Sequence, residues 1–316
     1  MRVTKKIVKQ LTILAVYLFV SQPLFAHNGT VGYAYPLGKI TVDGDFSDWP
    51  QQTIRYPIAL QGTDTKPQSE SDYSGFFQMG YRLDNHSLYI AVTITDDDFM
   101  EDTTENVKWN TQDGLELYLD ARHLPFGSGV ASFMYSKKLR NTNNAYYDPF
   151  AKAASWNIVE IAMVHKGNTR YYEWRINLGN ELAPGKSIGL DFFAFDRDTD
   201  GSFSFASWGR GEMKYINPRS LSDVLIMPAN DTLATLSGKV DWDKSLKVQF
   251  PDHIRVTDVQ DQKRWLQIVL DSLGNYSVDV PPGKYNIMLP EEYLKSDTKL
   301  YIATQKKPVI VSVKAL

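Results

Sequence analysis

Leu88-Tyr-Ile-Ala-Val-Thr-Ile-Thr95 alternates strictly, with Leu88, Ile90, Val92 and Ile94 on one side and Tyr89, Ala91, Thr93 and Thr95 on the other. A period of two is what a pleated strand imposes, because successive side chains point to opposite faces. The β-branched and aromatic residues that fill it suit a pleated surface. The same beat returns in Leu115-Leu117-Leu119, set against Glu116, Tyr118 and Asp120. It recurs in Val159-Ile161-Met163, Tyr172-Trp174-Ile176 and Phe193-Phe195. Beyond the N-terminal stretch no segment holds a helical period for three turns, and clusters of Gly, Asn, Asp and Pro separate the runs as turns do. The pattern predicts an all-β chain, built as an antiparallel β-sandwich with one buried face per sheet.

Pro228-Ala-Asn-Asp-Thr232 reads as a linker, after which a second series of short strands begins at Leu236. Leu266-Ile268-Leu270 leads into the turn Asp271-Ser-Leu-Gly-Asn275, Tyr276-Val278-Val280 into Pro281-Pro-Gly-Lys284, and Tyr285-Ile287-Leu289 and Val309-Val311-Val313 follow. The expected organisation is a domain over residues 27–230 and a second, smaller β-sandwich over 231–316.

The first 26 residues read as an address. Arg2, Lys5, Lys6 and Lys9 precede the short apolar run Leu11–Val20, and Ser21-Gln-Pro-Leu-Phe-Ala26 offers a small residue for cleavage, the pattern of a secretory signal peptide. So short a run falls below the ~20 residues a hydrocarbon core requires, and the expectation is a mature chain that does not insert in a membrane. It would be extracytoplasmic, in the periplasm or secreted, after cleavage near Ala26. There is no Cys, so no disulfide supports the fold. The 26 residues hold four of the 34 basic residues and none of the 37 acidic ones, so their removal takes the net charge from −3 to −7. An acidic surface repels phosphate backbones, which argues against a nucleic-acid partner.

Signatures of catalysis are missing. The sequence has no G-x-S-x-G, no H-E-x-x-H and no phosphate-binding glycine loop, and its five His are scattered. The chain is therefore expected not to be an enzyme. Its acidic residues do form one suggestive constellation, Asp196-Arg-Asp198-Thr-Asp200-Gly201. Carboxylates at alternate positions before a glycine can converge on a hard cation that wants six to eight oxygens, so a structural Ca²⁺ is expected there. The loop alone is an incomplete shell, and Asp43, with Asp45 and Asp48, is a candidate to complete it. Asp96-Asp-Asp98 with Glu101 and Asp102 reads instead as a charged loop.

Among the tryptophans, Trp49, Trp174 and Trp208 fall in apolar or turn contexts that predict burial, whereas Trp109 sits in the polar stretch Asn106-Val-Lys-Trp-Asn-Thr-Gln112. A large ring in a polar loop is a better candidate for binding than one on an apolar face.

Six segments in order, ITVDGDFSDW (40–49), LYIAVTITDDDF (88–99), WNTQDGLELYLD (109–120), YYEWRI (171–176), DRDTDGSFSFASWG (196–209) and YINPRSLSDV (215–224), resemble carbohydrate-binding module family 9. The resemblance implies an immunoglobulin-like or jelly-roll β-sandwich with structural calcium, and a sugar site in which two aromatic rings clamp a saccharide. Carried over residue by residue, it gives Trp109 and Tyr215 as the clamp and Glu116 as the acid that accepts from sugar hydroxyls. In SFMYSKK (132–138), Met134 and Ser136 stand where the family carries an arginine and an asparagine, which makes Ser136 a candidate contact. The implied partner is a polysaccharide or oligosaccharide. The other reading is an accessory or interaction module of a secreted hydrolase, such as a glycoside hydrolase, with no sugar binding of its own. The phrase DSLGNYSVDVPPGKYNI (271–287) is similar to the carboxypeptidase-regulatory-like, transthyretin-like fold, which implies a non-catalytic appendage.

Overall fold

The computed structural model describes residues 28–61, 72–123, 130–136, 140–144, 154–211, 213–231, 233–240, 252–289 and 309–313. The expected signal segment lies outside them. Strands dominate the described residues, whose only helical pieces are short 3₁₀ turns. None of these is long and apolar enough to cross a membrane.

In chain order the strands begin with β1 (Val31–Pro36), β2 (Tyr56–Pro57), β3 (Leu60–Gln61), β4 (Tyr73–Arg82), β5 (Ser87–Asp96), β6 (Gly114–Asp120) and β7 (Ala131–Tyr135). They continue with β8 (Arg140–Asn144), β9 (Val159–Lys166), β10 (Thr169–Asn177), β11 (Ser187–Arg197), β12 (Phe203–Ser207) and β13 (Ser222–Ile226). The hydrogen-bonded path runs β8-β7-β6-β11-β13-β1-β4-β5-β10-β9, with β12 beside β11, β3 beside β12 and β2 beside β4. Its pairings are antiparallel apart from those of β1. That strand runs parallel to β13 through Val31–Ala34 and parallel to β4 through Tyr35–Pro36. One strand therefore belongs to both layers and joins them, a departure from the purely antiparallel expectation. The β9–β10 hairpin closes in two residues because Gly167, at φ 59°, adopts the left-handed backbone such turns demand.

Alternation along each strand fills the space between the layers. Leu88, Ile90 and Val92 of β5 and Leu115, Leu117 and Leu119 of β6 are wholly buried, as are Trp174 and Trp208. Phe77 of β4 meets Phe192 of β11 at 4.9 Å between ring centroids and Trp208 at 5.0 Å. Each such side chain contributes about 1.5–3 kcal/mol by leaving water. The other face of β5 is covered too: Ile40 and Trp49 pack over Tyr89 and Ala91. Trp49 Nε1 donates to Glu173 Oε1 at 2.8 Å, and the backbone N–H groups of Asp43 and Gly44 donate to Glu173 Oε2 at 3.0 Å each.

The C-terminal strands are β14 (Ala234–Lys239), β15 (His253–Asp258), β16 (Trp265–Val269), β17 (Asn275–Val280), β18 (Gly283–Met288) and β19 (Val309–Val313). They form a two-stranded sheet, β14-β17, and a four-stranded one, β16-β15-β18-β19. These sheets bond to the preceding strands through the backbone, Trp265 N to Gly29 O at 2.9 Å and Val269 N to Arg55 O at 3.0 Å. Tyr35 adds a hydroxyl bond to Asp279 O at 2.9 Å.

Candidate functional site

The strand pattern that fills the core also dictates what points the other way. With Leu115, Leu117 and Leu119 turned inward, Glu116 and Tyr118 of β6 face outward; with Ala131, Phe133 and Tyr135 inward, so do Ser132 and Met134 of β7. In β11, Phe192 and Ala194 are core, which leaves Phe193 and Phe195 on the outer face. Register then sets Glu116 between Met134 and Phe193, and Phe195 opposite Phe205 of β12. The result is an aromatic floor with one carboxylate in it.

Two loops rise over that floor. The segment between β5 and β6 carries Trp109, whose ring packs on Phe195 at 5.3 Å and Phe203 at 5.4 Å yet stays 47 % exposed. The segment between β12 and β13 carries Tyr215, 36 % exposed. Trp109, Tyr215, Glu116, Tyr118, Ser132, Met134 and the floor phenylalanines line one cavity of about 580 Å³. Three of the four sugar-contact residues expected from sequence thus meet. Ser136 does not line the cavity; it is buried beside Gly114, just past the end of β7.

Glu116 Oε2 accepts from the Tyr118 hydroxyl at 2.6 Å, and Ser132 also hydrogen-bonds the carboxylate. Burial among rings raises the Glu116 pKa, against the pull of those two hydroxyls. Each loop has its own anchor. Asp113 holds the Trp109 loop, accepting from Met100 N at 2.6 Å and from Arg197 N at 2.8 Å. The Tyr215 loop is held from beneath by Lys214, whose ammonium donates to Asp191 Oδ2 at 2.8 Å, Gly209 O at 2.8 Å and Ser220 O at 3.1 Å. Gly209 lies so close to this network that a Cβ there would sit 2.0 Å from Ser222 Oγ. The sequence reading missed Lys214 and Asp191; the available signal was an acid inside the apolar strand Leu190-Asp-Phe-Phe193.

Below the Trp109 loop lies an acidic cluster. Asp96, at the end of β5, Asp113 and Asp196 each bring one carboxylate oxygen within 4.8 Å of the others, and Asp72, Asp97 and Asp198 form overlapping triads with them. Burial, the largest cause in each case, pushes the pKa of Asp96 up to about 6, Asp196 to about 7 and Asp113 to about 8. Asp196 is 1 % exposed; its Oδ2 accepts from Ser204 Oγ at 2.8 Å while its buried Oδ1 has no hydrogen-bond partner among the described residues. An all-oxygen donor set with a desolvated, unsatisfied oxygen fits a hard cation such as Ca²⁺.

Of the four residues expected to hold metal, Asp196 and Asp198 lie in this cluster. Asp200 caps its own exposed turn, accepting from Ser202 N at 2.7 Å. Asp43 lies outside this cluster, beside Glu173 of β10, and its Oδ1 accepts from Asp45 N at 2.8 Å. Contrary to expectation, Asp43 is thus not part of this cluster; Asp96 and Asp113 are the acids that lie beside Asp196. Asp96, read from sequence as part of a charged loop, is 1 % exposed.

Residues 42–222, more than half of the chain, match the profile of the family described as "Carbohydrate family 9 binding domain-like". The chain belongs to that family. The CBM9 match includes the cavity, both loops and the acidic cluster. CBM9 is a family of non-catalytic binding modules, in keeping with the missing catalytic motifs. Two solved structures are similar: a family 9 module from Caldicellulosiruptor kristjanssonii in complex with cellotriose, and one in complex with glucose. The first has a TM-score of 0.52 at 14 % identity, covering 64 % of this chain and 96 % of that one. For the second the figures are 0.51, 14 %, 64 % and 98 %. At that identity the likeness concerns the fold. No curated protein matches the chain.

Proposed function

We propose that this CBM9 chain is a calcium-stabilised, extracytoplasmic protein that binds a saccharide by aromatic stacking and catalyses nothing. The observation that carries the reading is the pair Trp109 and Tyr215, exposed from two anchored loops over one cavity that also holds Glu116. A pyranose offers apolar C–H faces that stack on flat rings, and a rim of hydroxyls that needs acceptors such as a carboxylate. The cellotriose and glucose complexes of family 9 modules with the same fold support a saccharide as the ligand class. One stacked site with few hydrogen bonds gives micromolar to millimolar affinity, about −4 to −8 kcal/mol. Asp96, Asp113, Asp196 and their neighbours would hold the cation, with the Trp109 loop tied to the same residues through Asp113.

The C-terminal sheets would act as a non-catalytic spacer of the carboxypeptidase-regulatory-like kind, and a secreted glycoside hydrolase is the natural associate of such a module. Their contacts with the preceding strands include Gly29, Arg55 and Tyr35, none of which lines the cavity. Electrophoresis through gels cast with soluble polysaccharides tests the reading. Retarded migration that is lost in Trp109→Ala supports it; unretarded migration in every polysaccharide contradicts it.

A further inference from the structure

The cavity is lined by one carboxylate, that of Glu116. Glu116 is half-buried, its neighbours across the ladder are Met134 and Phe193, and its hydrogen bonds come from two hydroxyls, Tyr118 and Ser132. Among the described residues it forms no ion pair. A carboxylate moved out of water loses solvation that hydroxyls replace only in part, and buried charges are ordinarily paired. The buried cation Lys214 is already committed to Asp191, with its ammonium 5.5 Å from the Phe193 ring centroid. Lys108 lines the cavity from the exposed rim of the Trp109 loop.

What surrounds Glu116 is also selective. Trp109, Tyr118, Phe193, Phe195, Phe205 and Tyr215 all line the cavity. Aromatic faces carry negative potential and attract ammonium groups, most strongly where water is excluded. A neutral sugar would use the rings for stacking and leave the carboxylate facing hydroxyls that donate weakly. A protonated amine on the sugar ring would satisfy both features, donating to Glu116 and lying among the rings. The overall acidity of the chain favours approach of such a ligand.

Building on the saccharide reading, we propose that the Glu116 pocket selects sugars bearing a free ammonium, that is, 2-amino-2-deoxyhexose residues whose amine is not acylated. The carboxylate is the selecting group and the rings are the general platform.

The test is calorimetry on the full chain with three trisaccharides of matched linkage: a glucosamine trimer, its fully N-acetylated form, and cellotriose, at slightly acidic pH and low salt. The glucosamine trimer is expected to bind about ten-fold more tightly than either neutral one, equivalent to ~1.4 kcal/mol. Glu116→Gln should abolish that preference, so that the three trimers bind this variant with similar affinity, and Tyr118→Phe, which keeps the carboxylate, should retain it. Circular dichroism checks that each variant is folded. Equal or weaker binding of the amine overturns the inference and leaves the saccharide reading standing, as does a preference that survives Glu116→Gln. Absence of binding by all three overturns both.

Discussion

Lys214 and Asp191 form an ion pair at 2.8 Å with both side chains wholly buried, directly beneath the loop that presents Tyr215. The ammonium also takes two loop carbonyls, Gly209 O and Ser220 O, so one side chain fixes both ends of the loop to the sheet. Asn28 Nδ2 reinforces it by donating to Arg210 O and Ser220 O, each at 3.0 Å.

Lys214→Met leaves Asp191 charged and unpaired in the interior. Removing one partner of a buried pair costs about 3–5 kcal/mol, so urea unfolding should show a loss of that order. Replacing both residues, as Lys214→Met with Asp191→Leu, should recover much of it, because an apolar pair needs no counter-charge. A single variant as stable as the parent would show that the pair contributes nothing.

His123 gives the fold a pH dependence with a defined sign. Burial pulls its pKa down, but the Asp223 hydrogen bond at 2.9 Å and the charges of Asp223 and Asp120 outweigh it, and the net shift is upward. A raised imidazole pKa stabilises the fold below the unfolded value of about 6.5, and that contribution disappears as pH rises through the folded value. His123→Asn suits the position, since asparagine tolerates the φ of 52° found there. Its stability deficit should be largest in mildly acidic buffer and shrink in alkaline buffer. A deficit constant with pH would mean that the ring acts only through packing.

The strands were legible because their faces differ chemically. Leu88-Ile90-Val92 and Leu115-Leu117-Leu119 face the core as their alternation requires, and Trp49, Trp174 and Trp208 are buried. β11 was harder, since Phe192-Phe-Ala-Phe195 is apolar on both sides: its core residues are Phe192 and Ala194, and Phe193 and Phe195 are the cavity floor. A local pattern cannot say that an outward apolar face is a binding platform. Trp109 was legible as a ring in a polar loop. The acidic cluster was half legible, because Asp196 and Asp198 are adjacent in sequence to an obvious turn, whereas Asp113 reaches it beside the β6–β11 pairing and Asp96 from the end of β5, which pairs with β4 and β10. Asp43 misled because its acidic turn resembles a ligand loop but serves to seat Trp49 and Glu173.

The proposed cation site predicts a calcium-dependent melting temperature. Calcium at a hundred times its dissociation constant adds about 2.7 kcal/mol, and a chelator should remove the gain. Asp196→Asn should lose the response. The Trp109 fluorescence should follow the same titration, since Asp113 bonds Met100 N and Arg197 N and Phe195 adjoins Asp196. Unchanged melting with and without calcium would rule out a cation at Asp96, Asp113 and Asp196.

The most direct measurement of the central claim is calorimetric titration of a panel of oligosaccharides into the parent chain, Trp109→Ala, Tyr215→Ala and, as a control remote from the cavity, Leu273→Ala. Stacking of a sugar ring between the two loops predicts micromolar to millimolar binding by the parent and by Leu273→Ala, and a loss of about ten-fold or more in each aromatic variant. Binding that survives both aromatic truncations unchanged would contradict the account.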